Sequence, residues 1–347
     1  MFFIDKYRPV GRNGSYFHKD IVDMLEIMSK DDAIPHIILY GPEGGGKKTL
    51  IDMFLGMLFG DKVYNTKDVS YEIVGSGGKK TTEKIKQSNY HIIINPKNNN
   101  YDRYLIHDVV KAYAKSKSLN SVFEKNKPFK MIFINGLDNL SFCAQAALRR
   151  TMERYNDKCR FVMWCKSLSK VIDPLQSRCV CIRVPAPRND EIFEYIFRIS
   201  AREKMKLSLD DYSQIVENAN GNIKMALWEL HFRKHGYEMN TEYKKSLYKL
   251  LDLLLETNID NMKKIRNIYF DLMITNFIGI TILRDLINII YECNKLSEKT
   301  KQKIVQTSSE IEYKLMKGRR EIIHLDAFTL NTMCHIRESK VFDLGVR

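Results

Sequence analysis

The sequence predicts an α/β domain with a parallel sheet flanked by helices, followed by a small helical domain and an all-α C-terminal domain. Short apolar runs rich in Ile, Val and Phe recur through the first half of the chain: HIILY (36–40), HIIIN (91–95), MIFIN (131–135), RFVMW (160–164) and VCIRV (180–184). Continuous apolar runs suit strands that are buried on both faces of a parallel sheet. Helical patterns over residues 47–59 and 101–115 separate these runs, and such alternation is typical of a doubly wound fold.

The domain boundaries follow a change of pattern near residue 185. The segment VPAPRND (184–190) holds two prolines, and almost only helical periodicity follows it. A chain of 347 residues has room for two or three domains at roughly 100–200 residues each. We therefore predict the α/β domain over residues 1–186, the small helical domain over 187–240 and the C-terminal domain over 241–347.

The composition favours a polyanionic partner and a reducing compartment. The formal net charge is +14, which suits nucleic acid, although a lysine-rich surface that serves solubility gives the same bulk charge. No apolar run reaches the ~18 residues of a membrane span, and MFFIDKYRPV carries no secretory pattern. The seven cysteines include no C-x-x-C pair, so we expect no zinc site and reduced thiols in the nucleus or cytosol.

A candidate phosphate-binding loop follows the first apolar run. HIILY leads directly into GPEGGGKKT (41–49) and an amphipathic helix, which is the context in which a G-x-x-x-x-G-K-[ST] motif binds nucleotide. Glycines let successive N–H groups point at phosphate oxygens, and the lysine reaches the β- and γ-phosphates. The alternative is a chance glycine-rich turn. The predicted phosphate-binding residues are Gly41, Pro42, Gly44, Gly45, Gly46, Lys47, Lys48 and Thr49.

Lys48 departs from this motif at the position that usually ligates Mg²⁺. A hydroxyl there would bind the metal, whereas an ammonium has no lone pair to donate. Thr49 stands one residue later, which turns its side chain by about 100° around a helix; only a reshaped loop would let it take that role. The sequence thus predicts binding of ATP or ADP and makes Mg²⁺ a doubtful ligand.

The carboxylates of a P-loop ATPase are missing from the strand that should carry them. The expected pattern is a strand of four apolar residues followed by Asp-Glu. These two acids would hold the metal and orient the attacking water. Here Asn135 and Gly136 fill those two positions, and Asp138 is the only acid nearby. Unless another strand carries the acids, the site binds nucleotide without hydrolysing it.

Further motifs identify a family. They are DKYRP (5–9), CAQAALRRTMERY (143–155), RFVMWCKSLSKVIDPLQSRC (160–179), GNIKMALWEL (221–230) and HLDAF (324–328). With the phosphate loop, this succession resembles the small subunits of replication factor C, a sliding-clamp loader of the AAA+ class, from residue 3 to about residue 340. The resemblance implies an α/β P-loop AAA+ domain, a helical lid domain and a helical collar that mediates oligomerisation.

The resemblance also implies a degenerate nucleotide site. One small subunit of the family has a GKKT loop and a strand that ends in Asn, and it ends the pentameric spiral without hydrolysing ATP. Gly136 departs further, because it removes even a lone carboxylate. By the same comparison Arg8 and Pro9 lie near the adenine, while Lys166 and Lys224 replace the usual Asn and Arg sensors.

An intact Ser177-Arg178-Cys179 triplet implies catalysis in trans. In the family this arginine reaches the ATP of the neighbouring subunit, where a guanidinium fork stabilises the transition state. From spacing alone, the favoured interpretation of Arg178 is a surface residue at the entry of a strand, or one paired with a carboxylate; the family resemblance reverses that preference.

The implied partners are the other subunits of a heteropentamer, a PCNA-type sliding clamp and primer–template DNA. Arg149 and Arg150 are candidate DNA contacts, as are Lys79 and Lys80 in a predicted loop-and-helix run that continues to Lys86. Each is also explained by an interface or a solvated surface. The implied location is the nucleus, or a viral replication compartment. A stand-alone P-loop ATPase and a DNA-binding scaffold with an empty pocket are the alternative functions.

Overall fold

The chain divides into two compact units, residues 1–237 and 238–347. The computed structural model describes residues 1–9, 16–31, 33–74, 80–96, 102–115, 129–237, 241–275, 277–318 and 320–345. The first unit spans the boundary predicted at residues 186/187, and the three-domain division therefore stays a prediction.

The first unit is built on a seven-stranded sheet within the described residues. Its strands are β1 (His36–Tyr40), β2 (Lys67–Val74), β3 (Lys80–Gln87), β4 (His91–Ile94), β5 (Lys130–Asn135), β6 (Cys159–Cys165) and β7 (Cys179–Arg183). They lie in the order β2-β3-β4-β5-β6-β1-β7, and the five strands from β4 to β7 in that order are parallel. All five predicted strands are present, and the α/β fold class is confirmed.

An antiparallel hairpin extends one edge of this sheet. β2 pairs with β3 along its whole length, and β3 pairs with β4. The prediction that Lys80 belongs to a loop-and-helix run is therefore wrong: Lys80, Lys84 and Lys86 lie on strand β3. The ladder with β2 gives this polar segment its backbone hydrogen bonds, and only Ile85 is buried along it. Lys79 lies outside the described residues.

Helices cover both faces of the sheet. In the first unit they include α1 (Phe3–Lys6), α2 (Lys19–Lys30), α3 (Lys47–Phe59), α4 (Asp102–Lys115), α5 (Phe142–Arg154) and α6 (Asp173–Gln176). Apolar residues of α2 and α3 pack on one face, and those of α4 and α5 on the other. Ser141 caps the N-terminus of α5, because its hydroxyl accepts a hydrogen bond from Ala144 N at 3.3 Å.

Three further helices of the first unit share a separate core. They are α7 (Asn189–Arg202), α8 (Leu209–Ala219) and α9 (Ile223–Lys234). Ile196, Ile215 and Leu230 are fully buried between them, and Phe3 of α1 joins this cluster. The N-terminal segment is thereby fixed close to the helices that complete the site described below.

The second unit is helical throughout its described residues. Its helices are α10 (Thr241–Glu256), α11 (Met262–Ile274), α12 (Gly279–Glu292), α13 (Glu298–Lys317) and α14 (Glu321–Gly345). Leucines and isoleucines spaced at helical intervals, together with Tyr269 and Phe328, form one buried core. In the described parts of both units, no helix has the length and apolar character that crossing a membrane requires.

Candidate nucleotide-binding site

The phosphate loop joins β1 to α3 through a backbone that requires glycine. Gly41, Gly44 and Gly46 have φ values of +151°, +75° and +88°, which side chains rarely allow. A Cβ on Gly41 would lie 2.0 Å from the Val184 carbonyl oxygen, and one on Gly44 would lie 1.8 Å from Asn222 Oδ1. The loop therefore runs close against its neighbours, with its N–H groups at the start of α3.

Lys47 is folded into this loop. Its Nζ donates to the carbonyls of Gly41 at 2.7 Å and Pro42 at 2.6 Å, and the residue is 5% exposed. The Trp164 ring lies 5.3 Å from the same nitrogen. Burial lowers the pKa of the Lys47 ammonium because few groups replace its water. A phosphate would supply the anionic partner that these carbonyls only approximate.

Most of the predicted binding residues line one cavity of about 410 Å³. They are Arg8, Pro9, Gly44, Gly46, Lys47, Lys48, Thr49 and Lys224. Gly41, Pro42 and Gly45 shape the loop without lining the cavity. The structure thus brings together the N-terminal segment, the phosphate loop and the start of α9.

An aromatic and apolar wall that was not predicted forms much of the remaining cavity surface. It comprises Ile4, Tyr7, Tyr16, Phe17, Met53, Tyr195, Ile223 and Leu227. Tyr195 donates its hydroxyl to the Tyr7 carbonyl at 3.0 Å, and burial raises its pKa to about 12. Flat apolar surfaces of this kind suit a nucleobase. These residues escaped prediction because the fold, and not a local motif, brings residues 7, 16 and 195 together.

Two polar contacts fasten the N-terminal segment to the loop and α3. His18 Nε2–H donates to the Gly45 carbonyl at 3.0 Å, and burial lowers the pKa of His18. Arg8 forms an ion pair with Asp52 of α3. Burial raises the pKa of Asp52, and the charges of Arg8 and Lys48 oppose that rise. Arg8 therefore lines the cavity with its guanidinium held by Asp52, and its proximity to an adenine stays a prediction.

The two acid positions at the end of β5 carry no carboxylate. Asn135 Oδ1 accepts from Trp164 Nε1 at 2.9 Å, and its amide nitrogen donates to Asn95. Gly136 has φ +70°. Asp138 uses one carboxylate oxygen to accept from Lys166 N at 3.1 Å, while its other oxygen is buried without a hydrogen bond among the described residues. The Asn135 amide thus makes one hydrogen bond through its oxygen and one through its nitrogen.

The two sensor positions are occupied by lysines in different settings. Lys166 Nζ lies 3.0 Å from Glu43 Oε2, and both side chains are more than half exposed, so the pair contributes little stability. Lys224, near the start of α9, is exposed and lines the cavity. Of the two, only Lys224 lines the cavity where a phosphate would lie.

The donor set does not fit Mg²⁺. Lys48 stands where the loop hydroxyl would be, Asn135 is hydrogen-bonded on both sides, and Gly136 has no side chain. In the part of the chain that the structure describes, no group of three His, Cys, Asp or Glu side chains could hold a metal ion. All seven cysteines are free thiols.

Arg178 lies outside the cavity of its own chain. It follows α6 and precedes β7, between Ser177 and Cys179. Its guanidinium lies 2.7 Å from Glu153 Oε1 and donates to the Pro174 carbonyl at 2.7 Å. The side chain is 39% exposed, so another chain can reach it.

The predicted DNA contacts lie elsewhere on the unit. Arg149 Nε is 3.9 Å from Glu153 Oε1, and Arg150 is exposed on α5. Lys80 Nζ lies 3.9 Å from Glu72 Oε2 across the hairpin. None of them lines the cavity, and their contact with DNA stays a prediction.

Fold and site together define the class of protein. The first strand of a parallel sheet leads into a glycine-rich loop with a buried lysine, and helices α7–α9 complete the cavity. This is the arrangement of a P-loop nucleotide-binding protein of the AAA+ class.

Comparison with known proteins gives the family. Residues 245–340 match the family model described as the C-terminal domain of replication factor C subunit 3. A putative replication factor C small subunit of Acanthamoeba polyphaga mimivirus is 37% identical over 96% of this chain and 90% of its own length. Replication factor C subunit 5 of Saccharomyces cerevisiae is 30% identical over 96% of this chain and 98% of its own length. The chain belongs to the replication factor C small-subunit family.

A solved structure shares the general fold at a greater distance. The Holliday-junction branch-migration motor RuvB of Thermotoga maritima aligns with 69% of this chain and 67% of its own, at 15% identity and a TM-score of 0.46.

Proposed function

We propose that this chain is a nucleotide-binding, non-hydrolysing small subunit of a pentameric clamp loader. With its partner subunits it would open a PCNA-type sliding clamp and load it onto primer–template DNA. Family membership supports a role in DNA replication within a multi-subunit assembly. The observation that carries the proposal is a glycine-rich phosphate loop with a buried Lys47, beside acid positions filled by Asn135 and Gly136.

Nucleotide binding follows from the parts of the cavity. The loop N–H groups and the N-terminus of α3 would receive the phosphates, and Lys47 would exchange its carbonyl partners for phosphate oxygens. The aromatic wall around Tyr16 and Tyr195 would hold the base. The N-terminal segment, fastened through His18 and Arg8, closes the same side of the cavity.

In the described part of the chain, neither position at the end of β5 that would hold the water-activating acid carries a carboxylate. Hydrolysis needs a carboxylate or equivalent group that orients the attacking water and balances its developing charge. The Asn135 amide is held by Trp164 and Asn95, and Gly136 offers no side chain. Bound ATP or ADP would then serve the architecture of the loader and not its turnover.

Arg178 is proposed to act on the ATP of a neighbouring subunit. It is exposed, lies outside its own cavity and is held by Glu153 at the surface. Exposed ion pairs contribute about 0–1 kcal/mol, so transfer of the guanidinium from Glu153 to a γ-phosphate costs little. The charge of +14 suits phosphate contacts with DNA, and the expected site of action is the nucleus or a viral replication compartment.

The test compares two variants that break the same ion pair. In the reconstituted loader, with clamp and primed DNA, Arg178→Ala should lower total ATP turnover. The neighbouring site that Arg178 serves should lose nearly all of its hydrolysis, since an arginine finger contributes about 10³–10⁵ in rate. Glu153→Gln keeps the guanidinium and should leave turnover within about twofold, because only a surface pair is lost. Gel filtration verifies assembly of both variants.

Two results would contradict the proposal. Equal turnover of Arg178→Ala and wild type in an assembled loader would remove the finger assignment. ATP hydrolysis by the purified chain alone, abolished by Lys47→Ala, would show that this site is an ATPase after all.

A further inference from the structure

We infer that this site binds free ADP or ATP without Mg²⁺, and that lysine side chains supply the positive charge that the metal supplies in other P-loop proteins. The inference rests on the proposed nucleotide binding and specifies the ionic form of the ligand. It starts from three groups that would surround the metal: the residue after the loop lysine, the end of β5 and the end of β6.

Lys48 places a charge where a metal ligand would stand. It is the second residue of α3, its side chain is exposed, and it lines the cavity. An ammonium repels a divalent cation and attracts phosphate oxygens at the same place. Thr49 also lines the cavity, but its side chain leaves the helix about 100° further round. The loop therefore places a second ammonium group, that of Lys48, next to Lys47 for direct contact with the phosphates.

Trp164 closes the side of the site where the metal would meet β5. Asn135 and Trp164 are register partners on adjacent strands. The indole N–H occupies Asn135 Oδ1 at 2.9 Å, and the indole ring lies 5.3 Å from Lys47 Nζ. A bulky ring thus lies beside both the loop lysine and the strand end, and the one side-chain oxygen at that end already accepts a hydrogen bond.

The charges that line the cavity match a free polyphosphate. Arg8 is paired with Asp52, and Glu43 is paired with Lys166. Among the described cavity residues, Lys47, Lys48 and Lys224 make no ion pair. Together they offer three positive charges to the phosphates of free ADP or ATP, of which a terminal phosphoryl group alone carries about −1.5 to −2 at pH 7. Bound Mg²⁺ would lower the charge of the ligand and weaken this match.

Asp138 is the residue whose carboxylate would favour a metal at this site. One of its oxygens holds Lys166 N, and the other is buried without a hydrogen bond among the described residues. It does not line the cavity, and a single carboxylate oxygen is a small part of the near-octahedral shell that Mg²⁺ demands. Its contribution can be measured directly by replacement with asparagine.

The experiment measures affinity for a fluorescently labelled ADP by anisotropy, in excess EDTA and in saturating Mg²⁺. We expect the dissociation constant in EDTA to be smaller than that in Mg²⁺ or to exceed it by no more than about twofold. Strengthening by Mg²⁺ of about tenfold or more, which is about 1.4 kcal/mol, would overturn the inference and leave the proposed nucleotide binding intact. Loss of that strengthening in Asp138→Asn would then identify the ligand responsible. Absence of binding in both buffers would overturn the nucleotide binding as well.

Variants at Lys48 separate charge from structure. In EDTA, Lys48→Ala should weaken binding by about tenfold or more, as expected for a charged hydrogen bond, while Lys48→Arg should retain most of the affinity. Lys170→Ala is the matched control, because Lys170 is exposed and does not line the cavity. Equal affinity of Lys48→Ala and wild type in EDTA would show that the lysine does not stand in for the metal.

Discussion

At the residue scale, Gly44 links the phosphate loop to the start of α9. Its φ is +75°, and a Cβ would meet Asn222 Oδ1, which caps α9 by accepting from Lys224 N at 3.0 Å and Met225 N at 3.2 Å. Gly44→Ala should therefore lower the free energy of unfolding by about 1–3 kcal/mol, through backbone strain and a displaced cap. It should also weaken nucleotide binding. Denaturant unfolding and titration with labelled ADP measure the two effects.

Gly45→Ala is the matched control for this change. Gly45 does not have a positive φ, and an added Cβ would lie 3.2 Å from the Pro185 carbonyl oxygen, a tight but adjustable contact. We expect an effect below about 1 kcal/mol. If the Gly44 and Gly45 variants were equally stable, the close approach to Asn222 would have no energetic weight.

The residues of the site differ in how far sequence alone could find them. Four residues hold fixed positions relative to the end of a strand: Lys47, Lys48, Asn135 and Gly136. A local motif therefore predicts where they lie, and comparison with that motif shows which of them differ from it chemically. Trp164 is different: only strand register shows that its indole meets Asn135. The sequence did offer one signal for Trp164: it is a tryptophan next to the end of a strand, two residues before the sensor position.

At the element scale, β1 begins with a buried histidine that makes the sheet sensitive to acid. His36 Nδ1 accepts from Phe161 N at 3.1 Å, and burial lowers its pKa to about 4. The unfolded chain binds this proton near the ordinary value of 6.5, so between these values the unfolded state holds more protons. Stability should fall by roughly 2 kcal/mol as the pH decreases from about 6.5 towards 4.

The measurement is the free energy of unfolding at about pH 7 and about pH 4.5. His36→Gln, whose amide oxygen can still accept from Phe161 N, should reduce this pH dependence. Part of it should remain, because burial also lowers the pKa of His91 to about 4. His107→Gln, at a half-exposed position on α4, should not change the dependence. An unchanged pH dependence in His36→Gln would show that His36 is not held neutral by the fold.

Elements with buried faces were predictable, and the hairpin was not. The apolar runs located β1 and β4–β7 to within one residue at each end, and α3 was predicted at its observed bounds. β3 reads KTTEKIKQ, with a single buried residue, Ile85. A strand with one buried residue has no apolar periodicity to distinguish it from a charged helix or loop, and only its pairing with β2 and β4 in the folded sheet reveals it.

At the scale of the whole molecule, partners follow from family membership and from charge. An interface between subunits is formed by two sequences and is therefore encoded by both of them. Within the described residues of its own chain, Arg178 contacts Glu153, the Pro174 carbonyl and the Ser177 hydroxyl, and its proposed role requires a nucleotide site on a second chain. The formal charge of +14 likewise favours DNA without locating it.

Arg150 provides a measurable test of that charge in the assembled loader. It is exposed on α5 and makes no ion pair among the described residues, whereas Lys80 is opposed by Glu72 across the hairpin. We expect Arg150→Ala to weaken binding of primer–template DNA irrespective of base sequence. It should also reduce the slope of log K against log salt by about one, as expected for loss of one phosphate contact. Lys80→Ala should change the slope less. Equal slopes for wild type and Arg150→Ala would place the DNA-contacting surface elsewhere.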